Sequence, residues 1–156
     1  MSEARQPERQ AARAALIQAR DVGAWGTKNL TRNRKRTIEL VAELEPLKHE
    51  PEVVNLLDRI RRDPTRIDSR ELHYIQRRYQ DGEYFRDMGD MDARYGRVLS
   101  DPNALVYRVG GQRYQVRSPS EGWICICEAD GTRVSLYPDL DDDFGAPLWT
   151  LSDLIP

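Results

Sequence analysis

The chain has 156 residues, 39% hydrophobic and 32% charged, with a formal net charge of −2. No apolar run approaches the ~20 residues a membrane helix needs, which argues against a spanning helix, yet a chain of this length and composition can build a real core. A near-neutral balance also argues against a general nucleic-acid binder, whose domain charge is strongly basic, so any such binding has to be local.

Charge is unevenly spread. Residues 1–100 carry 20 basic and 17 acidic side chains, whereas residues 101–156 carry 4 and 9, so the first part is net positive and the second net negative. Of the 24 basic residues only Lys28, Lys35 and Lys48 are lysine. Arginine's planar fork suits bidentate contacts to phosphate or carboxylate, although a GC-rich genome produces the same bias. Residues 1–7 lack the apolar core of a secretory signal. Cys125 and Cys127 are too few and too close for a disulfide framework. The expectation is a reducing, cytoplasmic location.

Pro7 and Glu8 suit a helix start, after which Ala12, Ala15, Leu16 and Ala19 recur at helical spacing until Gly23 and Gly26 end the pattern. Residues 27–37 are the most basic stretch, with five cations and no acid. A second helix follows to about Glu45, with Ile38, Val41 and Leu44 on one face, and Pro46 ends it because a proline inside a helix removes a hydrogen bond and clashes with the preceding turn. Pro51 and Glu52 open a third, with Val53, Val54, Leu57 and Ile60 as its stripe. Asp68-Ser69-Arg70-Glu71 reads as a capping box for a fourth, which buries Leu72, Ile75 and Tyr79. A fifth carries Tyr84, Met88, Met91 and Tyr95 and is closed by Gly96.

From Ala104 the period changes to two. Residues 104–109 and 112–117 flank Gly110-Gly111, and residues 123–128 and 132–137 flank Asp130-Gly131, which reads as two hairpins. The tail holds Leu148, Trp149, Leu151, Leu154 and Ile155, apolar enough to dock. The predicted fold is therefore α+β: an N-terminal bundle of four to five short helices (1–100) packed on a small C-terminal antiparallel meander or barrel-like unit (101–156), together one compact domain.

Four groups of residues are candidate sites. Lys28, Arg32, Arg34, Lys35 and Arg36 have no countercharge in sequence and suit phosphate contacts with steep salt dependence; Trp25 nearby suits stacking on an unpaired base. Arg70, His73 and Arg77 fall on one face of the fourth helix, as a groove-reading helix requires, but the connection from Asp63 to Asp68 is longer than the 3–4-residue turn of that motif. In the acidic run, Asp139, Asp141 and Asp143 alternate like early calcium ligands; the glycine then comes one place late and Thr150 stands where a closing glutamate belongs. With Asp142 they read better as a patch for a basic protein partner. Cys125 and Cys127 share a face with Trp123, as core residues do, and with His49 and His73 distant no zinc set is expected.

Phosphate-binding loops and nucleophile elbows are absent from the sequence, and Glu121, Glu128 and Asp130 satisfy no spacing rule for a carboxylate site. The leading expectation is a non-catalytic interaction protein that needs no cofactor or metal, binding a partner with a basic surface through Asp139, Asp141, Asp142 and Asp143. The alternative is a nucleic-acid accessory protein using residues 28–36, assisted by Arg70, His73 and Arg77. A third is an enzyme with a pocket holding His73 or Glu128.

Overall fold

A computed structural model describes residues 6–82, 84–140 and 145–156. The fold is α+β, with helices first and an antiparallel sheet towards the C-terminus. It forms two compact units, one of Trp25–Asp90 and the other of the described residues in Met1–Ala24 and Met91–Pro156. Among the described residues no helix is long and apolar enough to cross a membrane.

In the first of these units, a two-residue strand β1 (Thr27–Lys28) pairs antiparallel with β2 (Ile67–Asp68). Between them lie α2 (Arg34–Leu44) and α3 (Pro51–Arg62), and α4 (Ser69–Ile75) follows directly after β2. Helix α2 turns a different face inward from the one expected. Leu40 and Leu44, one turn apart, are buried, while Ile38 is 66% exposed because two residues' rotation of about 200° puts it opposite Leu40. In α3, Val53, Leu56, Leu57 and Ile60 form the buried stripe, and Val54, about 100° off it, is partly exposed.

Pro46 lies in a short 3₁₀ turn, Glu45–Leu47, where its missing N–H costs little. Asp68 caps α4 by accepting from the Arg70 amide at 2.9 Å. The other half of the expected capping box is diverted, because Glu71 accepts from Arg59 Nε at 3.0 Å. Leu72, His73, Tyr74 and Ile75 are buried on α4, and Tyr79 lies beyond it in the π-helical turn Gln76–Gln80.

In the other unit, α1 (Gln6–Asp21) buries the expected Ala12, Ala15, Leu16 and Ala19. Helix α5 (Met88–Val98) starts later than expected, capped by Asp87, whose Oδ1 accepts from the Asp90 amide at 2.7 Å. It runs on through Gly96, which is not a stop. From Met91 onward it belongs with the sheet.

Strands β3 (Leu105–Val109), β4 (Arg113–Ser118), β5 (Trp123–Cys127) and β6 (Arg133–Pro138) form the meander. The tail adds a fifth strand, β7 (Trp149–Thr150), and a one-turn helix, α6 (Leu151–Leu154). The sheet order is β6-β5-β4-β3-β7, all antiparallel, with Val106 opposite Trp149. The first hairpin is wider than a two-residue turn, since Val109 pairs with Arg113 and Gln112 itself takes φ +63°.

One sheet face is core: Val116 pairs with Cys125 and Cys125 with Leu136, all buried. The Tyr95 hydroxyl donates to the Ile126 carbonyl at 2.6 Å.

Candidate functional site

The basic stretch lies at the surface of the Trp25–Asp90 unit. Lys28, Arg32, Arg34, Lys35 and Arg36 are all exposed. Arg36 meets Glu39 at 3.6 Å, while among the described residues no carboxylate lies within ion-pair distance of Lys28, Arg32, Arg34 or Lys35. The segment is ordered by its own asparagines. Asn29 Oδ1 accepts from the Thr31 amide at 2.9 Å, holding the 3₁₀ turn Leu30–Arg32, and Asn33 Oδ1 caps α2 by accepting from the Arg36 amide at 3.1 Å.

Three cations then occupy the first turn of α2, with no acid there. Positive charge at that end opposes the helix dipole by about 0.3–1 kcal/mol per residue. The arrangement is therefore mildly unfavourable for the helix itself.

Beside these cations lies an apolar groove of ≈ 250 Å³, lined by Leu30, Thr31, Arg34, Thr37, Ile38 and Pro64. It is held from two sides. The Leu30 amide donates to the Pro64 carbonyl at 2.8 Å, and the Thr37 hydroxyl donates to the Asn33 carbonyl at 3.0 Å and to the Leu30 carbonyl. This feature is not legible along the chain, because Pro64 is far from Leu30 in sequence and Ile38 shares a helical spacing with Val41 and Leu44; the Leu40/Leu44 spacing is the signal for the face that is buried instead.

Comparison with known proteins offers no guide. The chain matches no family model, no curated protein and no solved structure.

The other nucleic-acid candidates do not join the basic face. His73, expected on an outer face, is 9% exposed and packs against Trp25, with ring centroids 5.4 Å apart and planes inclined by 31°. Trp25 is accordingly engaged by His73. Arg77 is half-buried and donates to Asp81 at 2.8 Å, and Arg70 is half-buried as well. The stretch between α3 and α4 contains β2, paired with β1, so these two helices are not joined by the tight turn of a groove-reading pair.

Of the acidic run, Asp139 is 9% exposed at its side chain and ion-paired with Arg117, so its carboxylate is committed internally. Asp141, Asp142 and Asp143 lie outside the described residues. The carboxylates weighed for catalysis are held separately: Glu121 by Arg97 at 3.0 Å, Glu128 by Arg113 at 3.0 Å, and Asp130 by the Thr132 amide at 2.9 Å. Glu121 and Glu128 flank opposite ends of β5, whose five residues alone span about 13 Å at the rise of an extended strand.

Both cysteines are buried. Burial first, then Glu128 and Asp130, pushes the Cys127 thiol up to about 12, and burial drives Cys125 well above its usual value. Neither is a thiolate near neutral pH.

A cleft of ≈ 440 Å³ is lined by residues including Glu52, Arg59, Glu71, Tyr74 and Asp87, with neither His73 nor Glu128 among them. Glu52 accepts from the Tyr74 and Tyr79 hydroxyls at 3.3 Å each. Burial, reinforced by Glu52, raises the Tyr74 pKa. Every one of these acids has an internal partner: Arg59 for Glu71, and the Asp90 amide for Asp87. Among the described residues no group of three or more His, Cys, Asp or Glu is placed to hold a metal.

Proposed function

We propose that the chain is a non-catalytic interaction module that binds an acidic macromolecule through the basic face of its Trp25–Asp90 unit. The observation that carries this reading is the ordered, exposed cluster of Arg32, Arg34, Lys35 and Arg36, met at ion-pair distance only by Glu39 among the described residues. Charge complementarity of this kind sets partner choice and encounter rate. A basic partner bound through the acidic run has less support, because Asp139 is already engaged by Arg117.

The test is a salt titration with the full chain and the variant Arg32→Ala/Arg34→Ala/Lys35→Ala/Arg36→Ala. Labelled acidic peptides and labelled single- and double-stranded oligonucleotides serve as probes. Binding should be strongest at low salt, where screening is least, and the variant should lose it without losing thermal stability. Preference for oligonucleotides assigns the face to nucleic acid. No binding of either probe at low salt refutes the reading.

A further inference from the structure

We infer that the groove between Leu30, Ile38 and Pro64 seats one apolar side chain of an acidic peptide segment, so that the partner is a protein. The inference rests on the basic face being the contact surface, and it adds the class of partner and the atoms that recognise it. Ile38 sits 66% exposed on a helix that already buries Leu40 and Leu44. Covering such a residue removes apolar surface from water, a gain left unused in the chain by itself.

At ≈ 250 Å³ the groove is smaller than the about 300–1,000 Å³ of ordinary small-molecule sites, which suits a single anchor residue. Its walls are fixed before binding by the Leu30–Pro64 and Thr37–Asn33 hydrogen bonds. Little ordering is therefore required when a ligand arrives.

Charge selects what surrounds the anchor. Arg34 forms part of the groove wall, one helical turn before Ile38, and Arg32, Lys35 and Arg36 are its neighbours in the chain. A segment that drops an aliphatic side chain into the groove meets cations on its flanks, so carboxylates on either side of the anchor complete the match. Nucleic acid fits less well. Its unpaired bases seek aromatic platforms, whereas the lining is aliphatic and threonine apart from Arg34, and Trp25 is packed on His73.

The experiment uses labelled twelve-residue acidic peptides of equal charge bearing a central Leu, Ile, Phe or Ser, titrated by fluorescence anisotropy into the full chain. Exposed Ile38→Ser and the triple variant Arg34→Ala/Lys35→Ala/Arg36→Ala are compared with the parent. The parent should bind the best apolar-centred peptide at least ten-fold more tightly than the Ser-centred one, and Ile38→Ser should reduce that ratio to below three-fold. The triple variant should weaken all of the peptides.

Equal binding of the apolar- and Ser-centred peptides overturns the groove while leaving the basic face standing. Failure of every peptide at low salt overturns the protein partner, and failure of oligonucleotides as well overturns the basic face itself. Tighter, Ile38-dependent binding of an oligonucleotide of equal length overturns the choice of a protein partner. Concentration-dependent dimers that Ile38→Ser dissolves overturn it in favour of a second copy of the chain.

Discussion

Arg133→Met is the perturbation that most directly tests how α1 is held to the sheet. The Arg133 side chain is 5% exposed, and its Nε donates to the Ala19 carbonyl at 2.8 Å. Its Nη2 reaches the Arg20 carbonyl at 3.4 Å, and its Nη1 reaches the Asp92 carbonyl at 3.4 Å and carboxylate at 3.5 Å. The guanidinium also lies over the Tyr95 ring, 4.2 Å from its centroid. Ala19 and Arg20 are in the last turn of α1, where carbonyls have no intrahelical donor, so one side chain acts as the helix's C-terminal cap.

A charge-assisted hydrogen bond contributes about 1.5–3 kcal/mol, and a desolvated cation–π contact about 2 kcal/mol. Methionine escapes the cost of burying a charge, and Asp92, 30% exposed, can turn to water. The expected net loss is about 2–4 kcal/mol, or about 5–15 °C in Tm for a chain of this size.

Gly23 supplies a control. It has φ +66°, and a Cβ there would stand 3.0 Å from Arg133 Cζ and Nη2. Gly23→Ala therefore carries left-handed strain of about 1–2 kcal/mol plus a clash that exists only while Arg133 is present. In a double-mutant cycle by urea denaturation, the cost of Gly23→Ala should fall by about 1 kcal/mol in the Arg133→Met background. A Met variant within about 0.5 kcal/mol of the parent, or a Gly23→Ala cost identical in both backgrounds, would refute the capping argument.

Two further tests concern titrating groups. Burial pushes the Asp101 pKa up, but bonds from Ser118 Oγ at 2.7 Å, the Asn103 amide at 2.9 Å and the Ser120 amide at 3.2 Å outweigh it, leaving the carboxyl below its ordinary value. Its stabilisation is complete above the unfolded pKa of about 3.9 and is lost as pH falls through the lower folded value. Asp101→Asn should cost about 1–3 kcal/mol at neutral pH, with the gap narrowing in acid; a gap constant from pH 3 to 7 sinks this account. For Cys125 and Cys127, whose pKa values are raised in the fold, unfolded thiols ionise near about 8.5 while the folded ones stay protonated, so their contribution to stability declines as pH rises past that point. A thiol reagent at pH 8 should leave both unlabelled in the native chain and modify both in urea; rapid native labelling would contradict their burial.

Much of the fold was legible because local signals agreed with one another. The alanine stripe of α1, the change of period after Ala104 and the glycines at the turns each point to an element that the structure contains. Where two local readings competed, the sequence could not choose. Ile38/Val41/Leu44 and Leu40/Leu44 are both helical spacings, and only packing within the Trp25–Asp90 unit settles which face goes inward. Two-residue strands such as β1, β2 and β7 are too short for any periodicity to register. Exposure of the basic stretch, burial of His73 and commitment of Asp139 to Arg117 likewise depend on residues distant in the chain.

The Asp130-Gly131 turn marks the division. By itself the sequence determined that a glycine belongs there, since a tight turn between two alternating strands calls for positive φ, and Gly131 has φ +89°. Only the tertiary structure decided that no other residue fits for a second reason: a Cβ at Gly131 would lie 2.6 Å from Gln18 Cβ and 2.8 Å from the Ala15 carbonyl. Backbone dihedral preference is a property of a few neighbouring residues, so it can be read along the chain. The close approach of α1 to that turn is set by packing between elements more than 100 residues apart, and the groove between Leu30, Ile38 and Pro64 likewise depends on residues distant in the chain.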